Sequence, residues 1–102
     1  MLQRRKAGWL AEFRVFETDQ FIEDIAGGFG AYGERIRKKL LKYVYPQLRE
    51  NPYFGKNIKK LKNYEPATWR YRIGKYRFFY EINGKERIVY MLTAELRKES
   101  YR

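Results

Sequence analysis

The sequence predicts a small α+β domain in which an N-terminal strand and two helices pack on an antiparallel β-meander. Apolar and polar residues alternate near the start of the chain, apolar residues recur at helical spacing up to residue 50, and alternating runs separated by glycine-containing turns fill the last third. With 102 residues, 44% of them apolar, and no linker-like stretch, the chain is expected to form one domain over residues 1–102.

The first predicted elements are a strand and a short helix. The stretch from Leu10 to Thr18 alternates, with Ala11, Phe13 and Val15 on one face and Glu12 and Arg14 on the other. Thr18 or Asp19 is expected to cap the helix, and Gly27-Gly28 to end it. The predicted apolar face of this helix consists of Phe21, Ile22 and Ile25.

A second helix is predicted from a longer apolar repeat. Its members are Ile36, Leu40, Leu41, Val44 and Leu48, and basic residues occupy the outside. Pro46 is expected to kink or end this helix, because proline lacks the backbone N–H. Residues 51–55 indicate a loop, and residues 55–66 are expected to be irregular, with Ile58 and Leu61 anchored on the core.

The last third predicts the meander. Trp69, Tyr71 and Ile73 form one face of a strand, and Tyr76, Phe78, Tyr80 and Ile82 form the same face of the next. Gly74-Lys75 suits a two-residue type II′ turn between them. Asn83-Gly84 predicts a further turn, followed by a third strand with Ile88, Tyr90 and Leu92. A three-residue loop through Lys85 fits those apolar faces better than a two-residue loop, and the register stays open.

Composition restricts the possible chemistry and location. The chain has no cysteine and no histidine, which removes disulfides, thiolate metal sites, the commonest metal ligand and the commonest general base. We therefore expect no metal and no cofactor. No apolar run is long enough to span a membrane, and basic residues 1–6 are not followed by the apolar stretch of a signal peptide. A cytoplasmic protein without a membrane partner is expected.

The charge of the chain favours a polyanionic partner. The net charge is +11, and it is unevenly placed: the first 51 residues carry 10 basic and 7 acidic side chains, the last 51 carry 13 and 5. Nucleic acid or the ribosome is the expected partner, bound mainly by the second half. The alternative interpretation is an ordinary solvated surface.

Arginines cluster on one face of the predicted hairpin. A two-residue loop pairs Ile73 with Tyr76 and places Arg72 directly opposite Arg77, with Arg70 two residues along. Like charges in this position destabilise a sheet, so the cluster indicates a phosphate-binding site. An exposed strand face covered by arginine stems is the structural alternative.

Aromatic residues lie among these arginines, as single-stranded RNA sites require for base stacking. Those on the opposite face of the hairpin are expected in the core, namely Trp69, Tyr71, Tyr76, Phe78 and Tyr80. Phe79 and Tyr101 are the remaining candidates for stacking on a base.

The order of elements and two motifs resemble the RelE/ParE toxin superfamily over nearly the whole chain. The motifs are Tyr71-Arg72-Ile73-Gly74-Lys75-Tyr76-Arg77-Phe78-Phe79-Tyr80 and Leu96-Arg97-Lys98-Glu99-Ser100-Tyr101. The resemblance implies a RelE-like toxin of a type II toxin-antitoxin system. Such toxins cut mRNA in the ribosomal A site without metal, by attack of the ribose 2′-hydroxyl on the adjacent phosphate.

The resemblance also implies roles for individual residues. Arg77 would stabilise the phosphorane, Arg97 would bind phosphate and help to protonate the leaving oxygen, and Tyr101 would stack on or orient a nucleotide. Arg70 and Arg72 fall where some members carry catalytic lysines, so Arg72 is also a catalytic candidate. The expected RNA or phosphate contacts are Arg70, Arg72, Lys75, Phe79 and Lys98.

The general base is left unassigned by the sequence. A guanidinium cannot readily accept a proton. Members with a histidine base have Gly-His-Arg where this chain has Glu95-Leu96-Arg97, so that route is closed. Lys75, Glu81 and Glu99 remain candidates, and the ribosome itself is a further source of the missing group.

Two other functions stay open alongside the ribonuclease. One is a ParE-like poison of DNA gyrase, and the other is an inactive relative that only binds an antitoxin. The expected partners are a cognate antitoxin of acidic, amphipathic character, the ribosome with its mRNA and, through the antitoxin complex, operator DNA.

Overall fold

The described residues form a sheet of five strands in the order β1-β5-β4-β3-β2. The structure is a computed structural model that describes residues 12–28 and 32–96. The strands are β1 (Arg14–Glu17), β2 (Ile58–Lys60), β3 (Trp69–Ile73), β4 (Tyr76–Asn83) and β5 (Ile88–Leu96). β1 runs parallel to β5, whereas the other neighbours are antiparallel, so the predicted meander is the centre of a mixed sheet.

The first strand and helix are present where the sequence predicted them, with a shorter strand. β1 is shorter than the predicted strand, because Glu12 and Phe13 are not in strand conformation and residues 10 and 11 lie outside the described residues. Thr18 caps α1 (Asp19–Glu23), its Oγ1 accepting from the N–H of Phe21 at 3.3 Å. The same hydroxyl donates to the carbonyl of Met91 at 2.8 Å, which fastens the helix start to β5. A π-helical turn, Asp24–Gly28, continues α1 and ends at the predicted glycines.

The second helix is continuous through Pro46. It consists of α2 (Gly33–Lys39), a π-helical turn (Leu40–Val44) and α3 (Tyr45–Glu50). The helix therefore does not end at Pro46. A proline removes one helical N–H and crowds the preceding turn, and the wider π-helical turn lies immediately before it.

Both helices pack on one face of the sheet. The buried helical side chains are Phe21, Ile25, Ile36, Leu40, Val44, Tyr45 and Leu48, and the sheet contributes Tyr71, Tyr76, Phe78, Tyr80, Val89, Met91 and Ala94. Ile22 and Leu41 were predicted on the buried faces and are exposed, by 44% and 58%. Each follows a buried neighbour and points about 100° away from it around the helix.

The segment predicted as irregular contains an edge strand. β2 pairs with β3, with Ile58 opposite Tyr71, and Ile58 packs against the core as predicted. This three-residue strand follows no alternating apolar pattern, because two of its residues are lysines. Its sheet pairing comes from β3 and not from its own sequence.

The turn between β4 and β5 differs from the prediction. Asn83 pairs with Ile88, so four residues, 84–87, form the loop in place of the predicted three. The buried side chains of β5 are Val89, Met91 and Ala94, not Ile88, Tyr90 and Leu92. The sequence is apolar on both faces here, so alternation could not fix the register. Phe79 pairs with Thr93, but the next residue, Tyr80, pairs with Met91, so Leu92 forms a bulge that shifts the register by one residue.

Candidate nucleic-acid interface

The arginines predicted to cluster do so on the face of the sheet opposite the helices. Arg72 pairs with Arg77 across the β3–β4 hairpin, and Arg77 pairs with Glu95 on β5. These three residues form a row across the sheet. Gly74 has a φ of 60° and Lys75 does not have a positive φ, as a type II′ turn requires. The predicted two-residue turn and its register are therefore confirmed.

A second row lies beside the first. It consists of Lys59, Arg70, Phe79 and Thr93, one residue from each of β2 to β5. The edge strand thus adds a lysine that the sequence did not identify. We refer to Lys59, Arg70, Arg72, Arg77 and Phe79 as the arginine patch. Among the described residues, no helix covers this face.

Two guanidinium groups in the patch are held against the sheet. Arg70 and Arg77 are half-buried, whereas Arg72 is exposed. The Nε atoms of Arg70 and Arg77 are buried and have no hydrogen-bond partner among the described residues. A buried donor without a partner costs about 1–3 kcal/mol. The Nε atoms themselves are out of reach of a ligand, but both side chains are partly exposed, so their accessible N–H groups can bind an anion with several oxygens.

A carboxylate enters the patch from β5. Arg77 Nη2 lies 3.0 Å from Glu95 Oε1, and both side chains are partly exposed. The sequence did not identify Glu95 as a candidate residue. The correct β4–β5 register would have placed Glu95 opposite Arg77, but the four-residue loop and the bulge make that register hard to predict from the sequence.

Phe79, which was predicted to stack on a base, lies on the same face of the sheet as the arginines. It is half-buried, and its register neighbours are Arg70 on β3 and Thr93 on β5. The aromatics predicted in the core lie on the opposite face. Tyr71, Tyr76, Phe78 and Tyr80 are buried, and Trp69 is partly buried against them.

The other predicted site residues are not all brought into the patch. Lys75 is exposed in the hairpin turn. Glu81, one of the candidate bases, pairs with Tyr90, four residues along β4 from Arg77 and about 13 Å away at strand spacing. Arg97, Lys98, Glu99 and Tyr101 lie outside the described residues.

The tyrosines with perturbed acidity lie away from the patch. Burial raises the pKa of Tyr80, whose hydroxyl donates to the carbonyl of Pro52 at 2.8 Å. Burial, together with a hydrogen bond to Glu17, raises the pKa of Tyr45. Both phenols stay protonated and belong to the core, so neither contributes acid–base chemistry at the arginine patch.

Residues 12–28 and 32–96 contain no group of three or more acidic, histidine or cysteine side chains arranged to hold a metal ion. Among their helices, none has the length and apolar character needed to cross a membrane.

Comparison with known proteins connects this geometry with a family. Residues 15–101 match the family model described as ParE toxin of type II toxin-antitoxin system, parDE. This match spans most of the chain. The chain therefore belongs to the ParE toxin family and is a type II toxin of the RelE/ParE superfamily. Comparison with curated protein sequences gives no significant match.

Solved structures share the fold. The chain is similar to the toxin-antitoxin complex RelBE2 from Mycobacterium tuberculosis, with a TM-score of 0.71 and 21% identity, covering 88% of this chain and 97% of that one. For the archaeal RelE-RelB complex from Pyrococcus horikoshii the TM-score is 0.63 and the sequence identity 21%, covering 87% of this chain and 99% of that one. For the isolated E. coli RelE toxin the TM-score is 0.61 and the sequence identity 18%, covering 87% of this chain and 88% of that one. The predicted RelE-like α+β fold is confirmed.

Proposed function

We propose that this toxin is a ribosome-dependent mRNA endoribonuclease that inhibits translation in the cytoplasm. The observation that carries the proposal is the arginine patch. Four cations and a half-buried phenylalanine lie together on an open sheet face. Such an arrangement suits a single-stranded RNA, whose phosphates bind the cations while a base stacks on the ring.

The proposed chemistry needs no metal. The ribose 2′-oxygen attacks the adjacent phosphorus, and charge accumulates on the non-bridging oxygens of the phosphorane. In this proposal Arg77, on the central strand β4, stabilises this charge, while Arg70 and Arg72 hold the flanking phosphates. Pre-positioned cations of this kind lower the barrier because they need not reorganise during the reaction.

The residues beyond β5 complete the proposed site. Following the resemblance, Arg97 binds the phosphate and helps to protonate the leaving 5′-oxygen, and Tyr101 stacks on or orients a nucleotide. Lys75 and Lys98 contact neighbouring phosphates, and Phe79 provides the second stacking surface.

The proposed partners follow from the same surface. A cognate antitoxin is supported by the neighbours, which include complexes of RelE and RelB proteins. We propose that the antitoxin of this chain is acidic and amphipathic, because it must neutralise a protein of net charge +11. Binding of the antitoxin complex to operator DNA is part of the proposal.

The test is primer extension on a defined mRNA in a purified translation system. Wild-type protein should create new 3′ ends at A-site codons. Arg77→Ala should reduce their rate of formation by about 100-fold or more, as expected for loss of one transition-state donor. Arg14→Ala is the matched control, since Arg14 is an exposed arginine on β1, opposite Ile88 at the far end of β5. It should cut at the wild-type rate.

A second candidate function is poisoning of DNA gyrase, which the ParE description of the matching family model favours. Intact mRNA and continued translation in the wild-type reaction, together with inhibition of supercoiling by purified gyrase, would support that function. If neither activity is present and Arg77→Ala weakens antitoxin binding, the chain is a binding-only relative.

A further inference from the structure

Cleavage through a 2′-hydroxyl requires a group that accepts its proton, and the composition leaves few side chains for this task. The whole chain has no histidine and no cysteine. Arginine stays protonated and has no acceptor atom. A lysine acts as a base only where burial disfavours its charge, and Lys75 is exposed. A carboxylate is the remaining ordinary acceptor.

One described carboxylate forms an ion pair with an arginine of the patch. Glu95 pairs with Arg77 across β4 and β5, and its Oε1 is 3.0 Å from Arg77 Nη2. Its side chain is 51% exposed, so a bound nucleotide can reach it. Glu81 is on the same face but is paired with Tyr90, too far along β4 to share a phosphate with Arg77.

The surroundings of Glu95 fix its position relative to the arginine. Both residues lie in paired central strands, where β4 and β5 are joined over eight residue pairs. The ion pair adds a side-chain constraint to this backbone pairing. Adjacent strands therefore hold a proton acceptor, Glu95, beside a cation, Arg77. A reacting 2′-hydroxyl and the phosphate next to it need two such groups close together.

We propose that Glu95 is a catalytic residue of this toxin, its carboxylate accepting the proton of the attacking 2′-hydroxyl while Arg77 binds the phosphate. The inference rests on the proposed ribonuclease function. In the step, the 2′-O–H bond breaks and the proton passes to a Glu95 oxygen. The 2′-oxygen bonds to phosphorus, and the bond from phosphorus to the 5′-oxygen breaks. The 5′-oxygen takes up a proton from solvent water, Glu95 later releases its proton to solvent, and the products are a 2′,3′-cyclic phosphate and a 5′-hydroxyl.

The test uses Glu95→Gln in single-turnover cleavage of ribosome-bound mRNA. The glutamine carbonyl still accepts from Arg77 but does not act as a base, so the ion-pair geometry is largely preserved. The cleavage rate at saturation should fall by about 100- to 10,000-fold. Affinity for the programmed ribosome should stay equal or rise, because a negative charge leaves a basic surface. Glu86→Gln, in the exposed loop at the far end of β4, is the matched control and should be unaffected.

A second variant separates a base from a positioning residue. Glu95→Ala should be partly restored by added formate, and more strongly by the more basic acetate, because proton acceptance depends on basicity. A carboxylate that only restores the position of Arg77 would act independently of its basicity. Thermal unfolding of each variant checks that the domain is folded.

The outcomes distinguish this inference from the proposed function. If wild-type protein cuts mRNA and Glu95→Gln cuts at the same rate, the inference is wrong and the proposed function stands. A large loss for Glu81→Gln in place of Glu95→Gln, or a Glu95→Ala variant that is slow and unaffected by formate, would also overturn the inference. If the wild-type protein cuts nothing, the proposed function itself fails.

Discussion

Arg72 lies directly opposite Arg77 in the β3–β4 hairpin, next to the two-residue turn at Gly74-Lys75. Two like charges on facing strand positions destabilise the pairing. Glu95 offsets part of this repulsion, because it forms an ion pair with Arg77 from the other side. A sheet selected for stability alone would not need this arrangement, and the proposed function assigns the pair to phosphate binding.

Replacing Arg72 should therefore stabilise the protein while weakening its function. We expect Arg72→Thr to raise the free energy of unfolding by about 0.2–1 kcal/mol, because it removes the repulsion from Arg77. Urea unfolding measures this effect. Arg14→Thr, at another exposed strand position, controls for the strand preference of threonine. An equal gain in both variants would mean that the Arg72–Arg77 pair carries no strain.

Binding of single-stranded RNA should depend on salt through the cations of the patch. A plot of log K against log salt concentration becomes shallower by about 0.7 for each phosphate contact that is lost. We expect this change for Arg70→Ala and for Lys59→Ala, measured by fluorescence anisotropy with a short labelled RNA. Lys38→Ala, on the exposed side of α2, should leave the slope unchanged. Equal slopes for all variants would place the RNA elsewhere.

The hairpin turn should tolerate substitution poorly at its glycine. Gly74 has a φ of 60°, where a side chain costs roughly 1–2 kcal/mol. We expect Gly74→Ala to lower the free energy of unfolding by that amount. Gly27→Ala is the control, because an added Cβ there meets no heavy atom within 4 Å and no positive φ is involved. Destabilisation of both variants to the same extent would contradict this explanation.

Stability should fall in alkali partly because of Tyr80. Its pKa is raised by burial, so the folded protein keeps the phenol proton above about pH 10, where an unfolded tyrosine loses it. The stabilising contribution is present below that pH and is lost as pH rises, by about 1.4 kcal/mol per pH unit.

Tyr80→Phe removes this dependence together with the hydrogen bond to Pro52. At pH 8 the variant should be less stable by about 1 kcal/mol. The difference from wild type should shrink between pH 10 and 11 in urea unfolding. A difference that stays constant with pH would show that the folded and unfolded states titrate alike at Tyr80.

The elements with a single strong pattern were predictable from the sequence. The cap at Thr18, the two-residue turn at Gly74-Lys75 and the facing of Arg72 by Arg77 all depend on residues close together in the chain. Local backbone chemistry decides such features, so they can be read without knowing the rest of the fold.

Features that depend on distant partners could not be predicted in this way. β2 is too short and too basic to be recognised, and it is a strand because β3 offers it an edge. The exposure of Ile22 and Leu41 depends on which neighbouring residue meets the sheet. The register of β5 depends on a four-residue loop and a bulge within a segment that is apolar on both faces.

The sequence by itself determined the α+β class, the basic character of the second half and the arginine pair, because composition, periodicity and turn chemistry are local properties. Only the tertiary structure decided that Lys59 joins the patch and that Glu95 contacts Arg77. Both features depend on pairing between different strands, Lys59 with Arg70 and Arg77 with Glu95. They arise from strand order and register, which are set by the packing of the whole sheet against the helices.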